Sequence, residues 1–292
     1  MTRQKTALAL LQQAGRPIDK LKFVKLLFLL RQETCLREEP SFYDFVPYNF
    51  GPFSFALYRE IDTLVRDGYV VTGEHDFSLA PEGEEATVGK VETLPNDYRE
   101  AVSEVYGRYG SLSTNALLRD VYARYAWYGT RTQRPDLLPP EVPKAPQADP
   151  AVYTAGYEGH SVDAFFDHLL KNGIQSVLDV RANPFSRKYG FSGKALKGIA
   201  ANLKIEYHHF PELGIPSEQR AGLSDEASYE RLFAMYERDI LPGQDEAIEK
   251  VAGLMGQRPS VLVCMEEKPS SCHRGRLAGP VSAESGLDIV HL

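Results

Sequence analysis

A proline-rich stretch, Pro135-Asp-Leu-Leu-Pro-Pro-Glu-Val-Pro-Lys-Ala-Pro-Gln-Ala-Asp-Pro150, constrains this chain more than any other feature. Each of its six prolines removes a backbone donor and fixes φ, so no regular helix or central strand runs through it. Such a segment favours extended backbone and reads as a semi-rigid linker over 135–150. The chain is then expected to fold in two parts, residues 1–134 and 151–292. Its 292 residues are enough for two separate cores. No internal repeat crosses the linker.

Before the linker the pattern is mainly helical. Leu8, Leu10 and Leu11, then Phe23, Leu26, Leu27 and Leu30, follow helical spacing over 5–14 and 19–33. Pro17 and Asp19 suit a helix start. A turn-rich aromatic segment, residues 42–54, leads into a helix expected over 54–67 and stopped by Gly68. Residues 69–72 and 77–80 read as the strands of a β-wing, and helices are expected over 94–108 and 113–125. This order describes a winged-helix-like module over 1–134. Tyr125-Ala-Trp-Tyr128 holds the only tryptophan and suits docking better than base stacking.

After the linker, strands and helices alternate. Strands are expected at 152–155, 176–180, 205–209, 260–265 and 288–292. Helices are expected at 162–171, 226–240, 244–256 and 274–284. Alternation of this kind favours a mostly parallel sheet flanked by helices, giving an α/β fold class for the second part. In such sheets ligands bind beyond the carboxyl ends of the strands.

The candidate chemistry falls at those ends. The apolar run from Val261 leads into Cys264 and Glu266, and a turn then carries Cys272, His273, Arg274 and Arg276 toward a helix. A thiol at a helix N-terminus beside arginines is expected to have a lowered pKa, which makes Cys272 a candidate nucleophile. Glu266, His273 and Asp179 are candidate proton carriers or orienting groups. Gly156, Tyr157, Glu158 and Gly159 form a turn where backbone can approach a ligand. Arg181, Ser186, Arg187, Cys264, Arg274 and Arg276 complete a ligand-binding set suited to phosphate or carboxylate. The alternative for Asp179 and Arg181 is an internal ion pair. Arg187, Lys188, Lys194 and Lys197, interleaved with Tyr189 and Phe191, read as a basic loop.

A tyrosine-phosphatase-like loop needs arginine six residues after its cysteine. Ser270 and Ala278 stand at those places here, so that loop is absent. A rhodanese-type likeness is topological only. Cys264, Cys272 and His273, with His208 or His209, offer metal ligands, but no compact zinc signature is present and adjacent Cys272 and His273 are expected to diverge. No cofactor is therefore expected. A disulfide between Cys264 and Cys272 is a further alternative.

Residues 151–292 resemble the family known as domain of unknown function 488. The motifs that carry the resemblance are Tyr153–Gly159, Asp179–Arg187, Gly190–Ser192, Glu212–Gly214 and Cys264–Arg274. The resemblance implies a compact α/β domain and no particular reaction. Residues 21–28 and 48–54 resemble the N-terminal part of SocA-like or Panacea domains, which implies DNA binding or partner capture.

The net charge of −7 excludes a generally nucleic-acid-coating surface and leaves local basic patches open. Three cysteines do not make a disulfide framework, and no apolar run reaches membrane-spanning length. A cytoplasmic protein without membrane contact is expected. Its α/β part is expected to bind an anionic small molecule or nucleic acid and to perform Cys/Glu/Arg chemistry. The alternative is a transcriptional regulator or antitoxin-like adaptor that senses a ligand without turnover.

Overall fold

The computed structural model describes residues 2–141, 143–220 and 225–292; residue 142 of the expected linker lies outside them. The chain forms two compact units, Met1–Lys144 and Ala145–Leu292.

In the first unit, α1 (Thr2–Ala14) and α2 (Lys20–Glu33) bury continuous runs, Thr6 to Leu11 and Phe23 to Leu30. A helix buried around its circumference belongs at the centre of a core. A short strand β1 (Ile18–Asp19) precedes α2, and the Asp19 side chain caps that helix by accepting from Lys22 N. The aromatic segment expected as a turn contains a hairpin, β2 (Val46–Tyr48) and β3 (Gly51–Phe53). Helix α3 (Phe55–Arg66) follows, capped by Ser54. Strands β4 (Val70–Thr72) and β5 (Asp76–Leu79) join β1 in an antiparallel sheet ordered β1-β5-β4. Helices α4 (Glu84–Glu92), α5 (Asn96–Tyr109) and α6 (Thr114–Arg124) complete the unit.

Tyr125 and Tyr128 pack edge-on against Phe28, with ring centroids 5.1 and 4.7 Å apart. The aromatic segment around Trp127 therefore contributes to the core of its own unit. Leu137 is buried with Leu118 and Tyr122, so the first residues of the expected linker also pack on this unit.

The second unit is a five-stranded parallel sheet flanked by helices. Its elements are β6 (Val152–Gly156), α7 (Val162–Lys171), β7 (Ser176–Asp179), α8 (Gly193–Asn202), β8 (Glu206–His209), α9 (Glu226–Met235), α10 (Asp245–Gln257), β9 (Ser260–Cys264), α11 (His273–Ser285) and β10 (Ile289–His291). The strand order is β10-β6-β9-β7-β8. Strands β7 and β9 are buried at every position, as expected where helices cover both faces of a parallel sheet. The register pairs Gly156 with Cys264, and Asp179 with both Val263 and His209. The carboxyl ends of four strands thus share one rim. Helix α8 replaces part of the expected basic loop: Leu196, Ile199 and Ala200 are buried on it, while Lys194 and Lys197 are exposed. Among the described residues no helix is long and apolar enough to cross a membrane.

Lys25 is enclosed in the first core, its Nζ donating to Pro52 O at 3.0 Å. Burial lowers its pKa to about 7, against a smaller opposing pull from Asp19. Between about pH 7 and 10.5 the unfolded chain therefore holds a proton that the folded chain lacks, and stability rises with pH across that window. Lys25→Met should flatten this rise by about one proton in pH-dependent urea denaturation and stabilise the unit most below pH 7. Parallel wild-type and variant profiles would show that the ammonium is not desolvated.

Candidate functional site

Strand β9 delivers a buried Cys264 to the rim, and the chain leaves the sheet at Met265. The segment that follows is held from beneath by Arg274. This side chain is fully buried; its Nη1 donates to Glu266 O and its Nη2 to Glu267 O, the latter at 2.7 Å. A Cβ at Gly156 would lie 1.9 Å from Glu266 O and 3.0 Å from Arg274 Nη2, so only glycine fits beneath the turn. These placements correct two expectations. Arg274 is committed to backbone carbonyls and not to an anion, and Gly156 makes room for the protein's own chain. Gly159 has φ of +78°, a turn conformation favourable to glycine.

The turn returns the chain to α11, where two thiols and an imidazole converge. Cys264 Sγ, Cys272 Sγ and His273 Nδ1 all lie within 4.8 Å of one another. Nδ1 is 3.5 Å from Cys264 Sγ and 3.9 Å from Cys272 Sγ. The expected divergence of Cys272 and His273 does not occur. Cys272 still has extended backbone (φ −141°, ψ 140°) while His273 begins the helix, and this break brings neighbouring side chains together. His273 Nε2 donates to Val180 O at 2.9 Å, and Arg220 Nη2 donates to Nδ1 at 3.2 Å. A carbonyl only accepts and a guanidinium only donates, so the ring is neutral with its proton on Nε2.

Both thiols are 1% exposed. Burial, then the neighbouring Cys264, push the Cys272 thiol well above its usual pKa, and His273 offsets only part of this. This corrects the expected lowering: desolvation outweighs the helix terminus, and Arg274 and Arg276, the guanidiniums next to it in sequence, are engaged elsewhere. Arg276 pairs with Glu230 and Glu237 on the surface. Glu266 Oε2 accepts from Cys264 Sγ at 3.4 Å, and Glu266 Oε1 is 3.6 Å from Arg220 Nη1. Burial raises the Glu266 pKa, but the Cys272 thiol hydrogen bond, its own backbone amide and the Arg220 charge leave it below the usual value.

Asp179 and Arg181 form the internal ion pair. Arg181 Nε and Nη2 donate to the two Asp179 oxygens at 2.7 and 2.5 Å, and Nη1 reaches Tyr157 Oη and Phe191 O. Tyr207 donates to Asp179 at 2.8 Å. Tyr157 is buried and stacked on Phe191 with centroids 4.2 Å apart, so neither ring is available to a base. Ser186 Oγ accepts from Lys188 N, and Arg187 is exposed. His209 is engaged with Arg181 O and His208 with Glu206, away from the thiols.

Beside the cluster lies a cleft of about 570 Å³ lined by Glu158, Glu230, Glu266, Glu267, Lys268 and the rings of Tyr229 and Phe233, with Ser270 and Ser271. Glu158 also accepts from Glu267 N at 3.0 Å. Glu230 and Glu266 are paired with Arg276 and Arg220, which leaves Glu158 and Glu267 against Lys268, a small acidic excess that favours a cationic occupant. Arg220, Tyr229 and Phe233 were missed as site residues. Arg220 lies far from Cys264 in sequence and has no motif of its own, whereas the ring pair shows helical spacing.

In the first unit, Leu21, Val24, Lys25, Tyr48, Phe50 and Phe53 line a separate cavity of about 350 Å³. All six fall within residues 21–28 and 48–54.

Residues 161–280 match the family model described as Domain of unknown function DUF488. The curated proteins contain no match to this chain.

Replacing Arg274 with Met keeps most of the apolar stem and leaves two carbonyls without their donor. The expected loss is roughly 2–4 kcal/mol in chemical denaturation. A loss within about 0.5 kcal/mol, the range of an ordinary surface change, would show that the turn does not rest on this side chain.

Proposed function

We propose that this chain, whose residues 161–280 match the DUF488 family model, is a ligand-responsive adaptor and not a cysteine-dependent enzyme. One observation carries the reading: the reactive groups of the rim are sealed or already committed. Cys264 and Cys272 are 1% exposed, Arg274 holds backbone, and Arg181 holds Asp179. A covalent nucleophile must reach its substrate, and an anion clamp needs an available guanidinium. The acidic cleft beside the thiols supports a cationic ligand over the expected phosphate-bearing one.

For the first unit, the order α1, β1, α2, α3 and the β4–β5 hairpin supports the winged-helix reading. Glu74 and His75 are exposed at the hairpin tip, and Asp76 lies beside them. A carboxylate-bearing tip repels a phosphate backbone. Together with the aromatic cavity it favours a protein partner over DNA.

Two measurements test this. Brief alkylation of the native protein at neutral pH, mapped by mass spectrometry, should label Cys35 and spare Cys264 and Cys272. Fast labelling of Cys272 would restore the nucleophile. In gel shifts at two salt concentrations, the full chain should not retard mixed-sequence duplex DNA. A shift that weakens steeply with salt would return the first unit to DNA binding.

A further inference from the structure

We infer that Cys264, Cys272 and His273 form a binding site for a divalent transition metal ion of the zinc class, held by two Sγ atoms and Nδ1. The proposal rests on the ligand-sensing reading above for its regulatory meaning, and names the ligand of that same site.

Three independent features of the geometry carry it. The first is spacing. Zinc bonds of about 2.3 Å to sulfur and 2.0–2.1 Å to nitrogen, at tetrahedral angles, place S and N about 3.6 Å apart. The observed separations are 3.5 and 3.9 Å. With the two sulfurs within 4.8 Å of each other, the three atoms are close enough for side-chain rotations to bring them onto one ion.

The second is the state of the imidazole. A metal-binding histidine commonly donates its other ring N–H to a backbone carbonyl or carboxylate, which fixes the tautomer and aims the free lone pair. His273 Nε2 does this to Val180 O at 2.9 Å. Its Nδ1 is the acceptor on the thiol side of the ring, 3.2 Å from Arg220 Nη2, 3.5 Å from Cys264 Sγ and 3.9 Å from Cys272 Sγ.

The third is charge. Binding a divalent cation M²⁺ forms two M–S bonds and one M–N bond. It releases the two thiol protons to solvent and breaks the Arg220–His273 and Cys264–Glu266 hydrogen bonds, with no change of oxidation state. Two thiolates neutralise the ion, so the buried site gains no net charge. Arg220 retains Glu266, 3.6 Å away. Three protein ligands leave a fourth position for water or for Glu266, whose Oε2 is 3.4 Å from Cys264 Sγ. Thiolate and imidazole ligands select zinc, cobalt or iron over magnesium and calcium. The neighbouring carboxylates of Glu158, Glu230 and Glu267 add a field that draws cations toward the rim.

The test uses the full chain, stripped by a chelator under reducing conditions and titrated with Co²⁺ as an optical probe. Saturation is expected at one Co²⁺ per chain, with thiolate-to-cobalt charge-transfer absorption, release of two protons, and displacement by equimolar Zn²⁺. Cys272→Ser and His273→Gln should each weaken binding by at least roughly 100-fold. A folded wild type that gives no charge-transfer band overturns the proposal. Should the variants not fold, a wild-type experiment decides: in mild urea, Zn²⁺ should slow alkylation of Cys264 and Cys272 while leaving Cys35 unchanged. Equal rates with and without Zn²⁺ also overturn it. The adaptor reading fails separately, if native Cys272 is alkylated rapidly in the absence of metal.

Discussion

The buried guanidinium of Arg274 is the interaction on which the rim of the α/β unit depends. It lies fully inside the protein and satisfies the carbonyls of Glu266 and Glu267. Those two bonds fold the chain back after β9, over a floor that only Gly156 permits. The fold-back sets Cys264 against the start of α11, where Cys272 and His273 lie. Removing the guanidinium exposes two acceptors to a setting with little water, which costs more than the bonds themselves contribute. The Asp179–Arg181 pair serves the next strand in the same way, joining β7 to Tyr157, Phe191 and Tyr207. Charged side chains that look like ligand grips in sequence are here the internal supports of loops.

Much of the architecture was legible because it rests on local rules. Helix α7 spans Val162–Lys171 as expected, since Ser161 caps it and its apolar residues keep helical spacing. The parallel sheet followed from apolar runs alternating with amphipathic segments. Helix α8 was overlooked because its lysines drew attention, although Leu196, Ile199 and Ala200 carried the helical period. The hairpin β2–β3 was hidden in a segment dense with proline and glycine.

The candidate site was legible in its location and not in its chemistry. Sequence spacing put Cys264, Cys272 and His273 at one strand-to-helix junction, but direction depends on the backbone break at Cys272, which sequence does not reveal. The electrostatic expectation failed for a related reason. Proximity in sequence to Arg274 and Arg276 suggested a stabilised thiolate, whereas one guanidinium turns inward to carbonyls and the other pairs with surface glutamates. Desolvation then prevails at Cys272. Arg220 reaches the cluster from a distant part of the chain, a tertiary contact that no local pattern announces.

Together, these features describe a buried, preassembled set of two thiols and a tautomer-locked imidazole beside an acidic cleft. Its most direct test is X-ray absorption at the zinc edge of the zinc-loaded full chain. Two sulfurs at about 2.3 Å and nitrogen at about 2.0 Å from the zinc are expected. A shell made only of oxygen and nitrogen would contradict it.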